Sequence, residues 1–417
     1  MKVLSYILLY LFIILPAPAF SNSQGVKEDN LSFEFCGDSI KLNIPSSFNV
    51  SFPKTLSDTA VKKFYTEINS QNDAVVINKL LSFKKVNNLN DWLYYQLIRK
   101  TAQQLSPKED NYYRYTLYKW YLLSRSGYDV TLRMAGDKLL FYVQSDENIY
   151  NIPYYVNNQK QYICLNYHDY GTINFEEIKF NDINLAVSIP TKVFSYKITQ
   201  LPEFNPQDYI EKDLQFTYRH NNYQFKVKLN PQIKSMFTNY PVMDYASYFN
   251  IPLSRETYSS LIPLLKKELK NKPVIKGIDF LMRFTRNAFV FEADSLIFGQ
   301  EKRFSPEQTL LYEQSDCEDR SALFFYLVKE IYDLPMIVLS FKTHITIAVH
   351  FDKFAGKPIL YNGTNYYVCE PTPQRLDMKI GQLNPDLKKE FYEVVYEYKP
   401  ELKHYTNADF SERFPPK

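Results

Sequence analysis

One segment near the C-terminus has hydrophobic residues at helical spacing. The apolar positions are Leu323, Phe324, Leu327, Val328 and Ile331. Leu334 and Pro335 end the pattern, since the residue before a proline disfavours helical backbone. Ser315 or Asp316 stands just before it and suits the N-cap. The pattern therefore predicts a core helix whose first turn contains Cys317.

Three apolar runs follow this helix, and an earlier block has the same order. The later runs are Met336–Leu339, Ile345–Val349 and Tyr367–Cys369, and the earlier block is a helix around Leu117–Leu122 with runs Val130–Leu132, Leu139–Val143 and Tyr162–Cys164. The separation is 205 residues both from Cys164 to Cys369 and from Leu122 to Leu327. We interpret the recurrence of helix, strand, strand, strand as an internal duplication. Chance similarity of two apolar segments is the alternative.

Between these blocks the pattern changes twice. Alternating runs at Ile183–Ile189, Leu214–Tyr218 and Tyr223–Leu229 predict strands. Helical spacing then returns, with one helix opening at Ser260–Pro263 and another over Gly277–Phe289. We expect a signal peptide at 1–22, an N-terminal α+β domain at 23–170, a β-rich middle domain at 171–255, a C-terminal domain at 256–400 and a tail at 401–417.

The first residues have the layout of a secretory signal. Lys2 precedes an apolar run from Val3 to Leu15, and small residues follow from Ala17 to Ala19. The run is shorter than the roughly 20 residues that span a bilayer, which disfavours an uncleaved anchor. We expect export to the periplasm or the extracellular space, with no integral membrane span after cleavage.

Composition indicates a folded chain and excludes little else. The 417 residues include 36 Tyr and 31 Phe, a load that argues against disorder. The 49 Lys+Arg and 46 Asp+Glu nearly cancel, so charge gives no reason to expect nucleic acid. The basic cluster at Lys266, Lys267, Lys270 and Lys272 is interpreted as the solvated side of a helix. With 10 Gly and no calcium or phosphate loop, we predict no cofactor.

The most specific candidate chemistry lies around Cys317. A helix N-terminus favours a thiolate, whereas the flanking Asp316, Glu318 and Asp319 oppose it, so the sulfur requires a base. His344 opens the strand after the helix and is the candidate base. His350 lies on the same strand about 20 Å away and is expected at the surface.

The remaining assignments concern Glu370 and the other cysteines. Glu370 ends a later strand and is the candidate acid that orients the His344 imidazole, although an acid before Pro-Thr also caps turns. A zinc site from Cys317, His344 and Cys369 is the weaker alternative, because paired-ligand spacing is missing. Cys36 and Cys164 are either a disulfide or two buried thiols.

The order Cys at a helix start, His at a strand start, then an acid before Pro-Thr resembles the transglutaminase-like superfamily over about 275–380. This resemblance implies a papain/transglutaminase-like α+β core, in which the nucleophile helix packs on an antiparallel sheet. It implies Cys317 as nucleophile, His344 as general base and Glu370 as orienting acid. The family usually has Asp at the acid, and an aromatic where Thr346 stands. Residues 60–170 would be a catalytically silent copy.

The predicted function is that of an exported cysteine acyl-transfer enzyme acting on a protein or peptide. Release of the acyl group by water would make it a peptidase or amidase, and release by an amine a protein-glutamine acyltransferase that crosslinks. Tyr312 or Gln314 is the candidate oxyanion donor. The alternatives are a non-catalytic exported scaffold that binds a protein or envelope polymer, and a module for assembly of a larger secreted complex.

Overall fold

The computed structural model describes residues 28–69, 73–171, 173–174, 177–187, 189–291 and 302–400. The predicted signal peptide at 1–22 and the predicted tail at 401–417 both lie outside the described residues. None of the helices in the described ranges is long and apolar enough to cross a membrane.

The protein is α+β, as the sequence predicts. The helices are α1 Asp58–Asn69, α2 Ala74–Val86, α3 Asp91–Leu105, α4 Tyr112–Arg125, α5 Gln232–Met236, α6 Tyr245–Phe249, α7 Arg255–Leu269, α8 Val274–Asn287, α9 Pro306–Leu311 and α10 Cys317–Tyr332. The strands of the first half are β1 Glu28–Phe35, β2 Asp38–Pro45, β3 Val130–Ala135, β4 Lys138–Gln144, β5 Ile149–Tyr150, β6 Tyr154–Asn157, β7 Lys160–Cys164 and β8 Phe180–Asp182. The remaining strands are β9 Ile210–Tyr218, β10 Asn221–Leu229, β11 Val242–Met243, β12 Val290–Phe291, β13 Gln314–Ser315, β14 Met336–Ser340, β15 Ile345–His350, β16 Ile359–Tyr361, β17 Thr364–Cys369 and β18 Glu393–Tyr398.

Two five-stranded antiparallel sheets have corresponding strand orders. The N-terminal sheet runs β6-β7-β4-β3-β8, and the C-terminal sheet runs β16-β17-β15-β14-β18. In each sheet the third and fourth strands of this order form a hairpin, β3–β4 and β14–β15. The helix that precedes each hairpin packs on it: α4 on β3 and β4, and α10 on β15. The helix and strands predicted from each apolar block are therefore present in the predicted order.

The C-terminal sheet is apolar on both faces. Met336 and Val338 of β14 join the main core with α10, whereas Ile337 and Leu339 point into a separate small core. This arrangement follows from the two-residue period of a strand, which sends neighbouring side chains to opposite faces. It explains why β14 is a continuous hydrophobic run, and it fixes which face of the sheet receives α10.

The middle segment forms two of the three strands that its alternating pattern predicts. Two of its predicted strands lie in the β9–β10 hairpin, but residues 183–187 form no strand, and residue 188 is not described. The hairpin packs on α7 and α8, while β8 and β11 pair with strands of the first half. The alternation at Ile183–Ile189 failed as a strand signal because a strand also requires a neighbouring edge to pair with.

The helix predicted to open at Ser260–Pro263 begins earlier. It runs from Arg255, and Pro263 lies inside it on the exposed side. A proline removes one helical hydrogen bond, a cost that burial of Leu261, Ile262 and Leu265 offsets. The next helix, α8, covers most of the predicted Gly277–Phe289 and starts three residues sooner.

Candidate functional site

Cys317 is the first residue of α10. Asp316 is the N-cap: its side chain accepts a hydrogen bond from the Asp319 N–H at 3.1 Å, and the Asp319 carboxylate accepts one from the Asp316 N–H at 3.3 Å. This reciprocal capping box satisfies two amides that the first helical turn cannot satisfy itself. The predicted helix start is confirmed, with Asp316 rather than Ser315 as the cap.

The first turns of α10 hold the beginning of β15. The backbone N–H of Ile345 is near enough to the Cys317 sulfur to lower the pKa of its thiol, and the Ile345 carbonyl accepts a hydrogen bond from the Ser321 hydroxyl at 3.1 Å. Cys317 and Ser321 are four residues apart and therefore lie on one side of the helix. Ile345 is thus attached to α10 through its carbonyl and has its N–H near Cys317, which places the preceding residue, His344, close to the nucleophile position.

His344 is oriented by Glu370. Its backbone carbonyl accepts the Phe341 N–H at 2.8 Å, which closes the turn between β14 and β15. The side chain is 10% exposed, and its Nε2 lies 2.8 Å from Oε2 of Glu370. Because an ionised carboxylate only accepts, Nε2 donates in this contact. Nδ1 forms no hydrogen bond with any residue described in the structure, and the sulfur of Cys317 forms none with the imidazole.

Glu370 is itself fixed at both ends. It is 1% exposed, and its second oxygen, Oε1, accepts the N–H of Thr372 at 2.9 Å. Pro371 lies between the two and produces the turn that returns this N–H to the carboxylate. The same side chain therefore makes both contacts that the sequence left open, one with the His344 imidazole and one that closes the turn before Thr372.

Sequence reasoning missed Arg286, which supports this acid. Its buried guanidinium donates to the backbone carbonyl of Glu370 and, at 3.1 Å, to that of Met378, and it pairs with Asp377 at 2.9 Å. The available signal is an arginine in the last turn of a helix whose buried residues are mostly apolar. Nothing in the local sequence indicates which carbonyls it reaches, because its partners are more than 80 residues away.

A second buried arginine, Arg320, joins the nucleophile helix to α8. Its guanidinium donates to the carbonyls of Arg286 at 2.7 Å and Phe289 at 2.9 Å, and so completes the C-terminus of α8. Burial lowers the pKa of Arg320 to about 10, which leaves it charged at neutral pH. At the other end of this contact Gly277 permits close approach, since a Cβ there would lie 1.6 Å from the Tyr332 hydroxyl.

The electrostatic environment keeps the Cys317 thiol protonated. Burial raises the pKa of Cys317 to about 12, and the carboxylates of Asp316, Glu318 and Glu370 act in the same direction. The Ile345 N–H lowers that pKa but does not balance them. At neutral pH the resting group is therefore a thiol, and its reaction requires transfer of the proton to a base.

Replacing Asp316 by asparagine is expected to speed alkylation of Cys317. Asparagine is an equally good N-cap, so the helix start is kept, but one carboxylate that raises the Cys317 pKa is removed. Loss of one nearby charge is worth about one pKa unit, so the iodoacetamide rate at about pH 8 should rise several-fold to about tenfold. Site-resolved mass spectrometry measures the rate.

The matched control is Asp333→Asn at the other end of the same helix. Asp333 is the C-cap in left-handed conformation, which asparagine also tolerates. Alkylation of Cys317 should be unchanged in this variant. Equal acceleration in both variants, or none in Asp316→Asn, would show that local charge does not control the sulfur.

The predicted oxyanion donors are placed less favourably. The ring of Tyr312 stacks on Phe304 with centroids 4.4 Å apart, and the ammonium of Lys234 lies 4.4 Å from the Tyr312 ring centre. Gln314 is in β13, which pairs in parallel with β12. None of these contacts directs either side chain to Cys317 or His344, and the assignment of an oxyanion donor to Tyr312 or Gln314 stays a prediction.

The other predicted ligands do not gather around this site. Cys36, Cys164 and Cys369 are buried and form no disulfide, whereas Cys317 is partly exposed. The Cys36–Cys164 disulfide is therefore absent from the structure. The residues described contain no group of three His, Cys, Asp or Glu side chains arranged to hold a metal ion. His350 is partly exposed on β15, with Nδ1 2.9 Å from the Asn365 carbonyl.

The N-terminal sheet has a different set of side chains at the corresponding place. Tyr112 is the first residue of α4, as Cys317 is of α10. Its hydroxyl is 2.7 Å from a carboxylate oxygen of Asp169 and 2.9 Å from the Asn166 amide. The sequence analysis did not identify these two polar neighbours. They hydrogen-bond the first residue of the helix, which is a tyrosine where α10 has the cysteine.

Comparison with known proteins gives no relative. No family model, no curated protein and no solved structure matches this chain. The transglutaminase-like resemblance therefore rests on the order and geometry of Cys317, His344 and Glu370 in this chain alone.

Proposed function

We propose that the protein is a cysteine acyl-transfer enzyme in which Cys317 is the nucleophile, His344 the general base and Glu370 the acid that orients the imidazole. The observation that supports this most is the 2.8 Å contact between His344 and Glu370, next to Ile345, whose N–H is near the Cys317 sulfur. The three residues are separated by up to 53 positions and stand at the start of α10, just before β15 and just after β17.

The proposed reaction begins with a proton transfer. His344 Nδ1 takes the proton of the Cys317 thiol, and the sulfur attacks the carbonyl carbon of an amide. The imidazolium then gives the proton to the leaving nitrogen, the C–N bond breaks, and a thioester to Cys317 remains. Water releases the acyl group as an acid, or an amine releases it as a new amide. Glu370 stabilises the imidazolium that forms between these steps.

An oxyanion donor is available in the backbone. The N–H of Cys317 is one of the first-turn amides of α10, and no residue within the described part of the chain accepts it. An amide at this point is adjacent to the carbonyl that the sulfur attacks, and the positive end of the helix adds to its effect. We assign the donor to this group in preference to Tyr312 or Gln314.

The fold assignment extends the same proposal. A papain/transglutaminase-like core, with the nucleophile helix on an antiparallel sheet, is supported by the packing of α10 on β15. A diverged duplication is supported by the matching strand orders of the two sheets. In this proposal the N-terminal copy is silent, because Tyr112 replaces the thiol. The proposed location of the protein remains the periplasm or the extracellular space.

A defined peptide mixture tests the activity. The full chain is incubated at neutral pH with peptides rich in glutamine and lysine, and mass spectrometry counts three products. New peptide termini indicate a peptidase, conversion of Gln to Glu an amidase, and Gln–Lys linkage a crosslinker. We expect at least one product to accumulate with time and with protein concentration, and its type decides between water and amine as the acceptor.

A non-catalytic scaffold is the second candidate, and one observation favours it. The pKa of Cys317 is raised to about 12, and the sulfur forms no hydrogen bond to His344 among the contacts of the described residues. A scaffold that retains the fold would yield none of the three products. Its Cys317 would also be alkylated at the same rate whatever residue stands at 344.

A further inference from the structure

A charged groove of about 550 Å³ follows the exposed side of α8. One wall is the tip of the β9–β10 hairpin at Tyr218 and Arg219, and the opposite wall is the segment from Asp377 to Ile380. Residues of α8 form the floor between them, from Ile275 to Asn287. We name this feature the α8 groove.

The two carboxylates in the α8 groove are neutralised by arginines. Asp279 accepts a hydrogen bond from the Tyr218 hydroxyl at 2.9 Å, and it lies 3.6 Å from Arg283 and 3.7 Å from Arg219. Asp377 pairs with Arg283 and, from outside the groove, with Arg286. Neither carboxylate therefore presents a free negative charge to a ligand.

Two lysines of the α8 groove have no acidic partner among the described residues. Lys276 and Lys379 line the α8 groove and are exposed, and neither forms an ion pair with a residue that the structure describes. Counting formal charges, the four basic residues Arg219, Lys276, Arg283 and Lys379 exceed the two acidic ones by two. Apolar side chains of Ile275, Phe354 and Ile380 accompany them. The groove thus offers positive charge beside hydrophobic surface.

The α8 groove ends next to the candidate catalytic residues. Its last floor residue, Asn287, adjoins Arg286, whose guanidinium binds both Asp377 of the groove wall and the carbonyl of Glu370. One side chain therefore separates the groove from the residue that orients His344. A polypeptide in the groove would therefore lie one side chain away from the segment that contains Glu370.

We propose that the α8 groove binds an acidic segment of a peptide or protein substrate, next to the amide that Cys317 attacks. This inference rests on the proposed function. Lys276 and Lys379 would pair with carboxylates of the segment, while Phe354 and Ile380 would contact apolar side chains between them. A polyphosphate backbone fits less well, because its closely spaced charges would meet Asp279 and Asp377 and find no use for the apolar residues.

Fluorescence anisotropy with matched peptides tests the proposal. The full chain carrying Cys317→Ala is titrated at low salt with a labelled peptide that alternates Glu and Leu, and with the same peptide in which Gln replaces Glu. The acidic peptide should bind at least about tenfold more tightly. Substitution of Lys276→Gln with Lys379→Gln should remove most of that preference, and added salt should reduce it.

The control is the pair Lys266→Gln and Lys267→Gln on α7, two exposed lysines outside the groove that make the same change in net charge. This variant should keep the preference. Equal affinity for both peptides would overturn the inference, as would an equal loss in both lysine pairs. An oligonucleotide that binds as tightly as the acidic peptide, through the same two lysines, would also overturn it.

Failure of this inference is distinguishable from failure of the proposed function. Peptide binding is measured in a variant without the nucleophile, so it does not depend on turnover. Product formation by the unmodified chain is a separate result. Selective binding without any product would refute the acyl-transfer function and leave the α8 groove as a peptide-binding site.

Discussion

Cys317→Ser is expected to reduce product formation from the peptide mixture by at least about 10³-fold. A hydroxyl in place of the thiol has a much higher pKa, and the carboxylates of Asp316 and Glu318 further oppose its ionisation. The hydroxyl is also a small change in volume at a partly exposed position, so the fold should be retained. Initial rates of product formation measure the effect, and circular dichroism checks the fold.

Cys36→Ala provides the control for loss of a thiol elsewhere. Cys36 is buried, forms no disulfide and is far along the chain from the candidate site. Its removal should leave the initial rate within about twofold, apart from any loss of folded protein. Comparable rates for Cys317→Ser and the unmodified chain would mean that another group performs the reaction.

Glu370→Gln is expected to lower the rate by about 10²- to 10⁴-fold with little change in structure. The Glu370 carboxylate accepts two hydrogen bonds, one on each oxygen, from His344 and from the Thr372 N–H. Glutamine has one acceptor oxygen, so it cannot satisfy both donors. If the oxygen keeps Thr372, the amide nitrogen faces His344 and forces its proton onto Nδ1, where it blocks acceptance of the thiol proton.

The pH profile separates this effect from simple loss of stability. An orienting role predicts that the turnover number falls while the Michaelis constant changes little, and that the rate of Glu370→Gln recovers partly at higher pH, where the thiol ionises without a base. Glu393→Gln, an exposed carboxyl on the edge strand β18 of the same sheet, should retain the full rate. A proportional loss in both variants would contradict the role of Glu370.

The local sequence patterns indicate the three candidate residues, but they do not indicate the neighbouring groups that hold them in position. Helical spacing after Cys317 and the alternation after His344 are local patterns, and local patterns determine where an element starts. The neighbours Arg286 and Arg320 act through carbonyls of distant residues, and no spacing rule reports such contacts. The same holds for the Thr372 N–H, whose direction depends on the turn at Pro371.

In the middle of the chain, one local hydrophobic pattern predicted a strand that does not form. Leu214–Tyr218 and Tyr223–Leu229 were predicted as strands and lie in the β9–β10 hairpin, because each finds the other as a partner. Ile183–Ile189 has a similar alternation, yet its residues 183–187 do not form a strand. A hydrophobic pattern describes which side of a strand would be buried, whereas pairing is decided by the edges that the rest of the fold leaves open.

The offset of 205 residues between the two apolar blocks predicted that the same order of helix and strands occurs twice. The two sheets have corresponding strand orders. An offset of 205 residues places Tyr112 where Cys317 stands, and sequence comparison alone predicted a catalytically silent counterpart of the site. The hydrogen bonds among Tyr112, Asn166 and Asp169 form a polar cluster there. Asn166 and Asp169 were missed because they follow the last aligned strand by several positions and belong to no periodic pattern.

Formation of a thioester on Cys317 is the most direct test of the account. The full chain is mixed with p-nitrophenyl acetate, an activated ester that needs no specific recognition, then quenched in acid and mapped by mass spectrometry. The account predicts a burst of nitrophenolate that approaches one equivalent, with a hydroxylamine-labile acetyl group on Cys317 and a burst slowed at least about 10²-fold by His344→Ala. Acetylation that spreads over other residues, or that is equally fast without the imidazole, would contradict it.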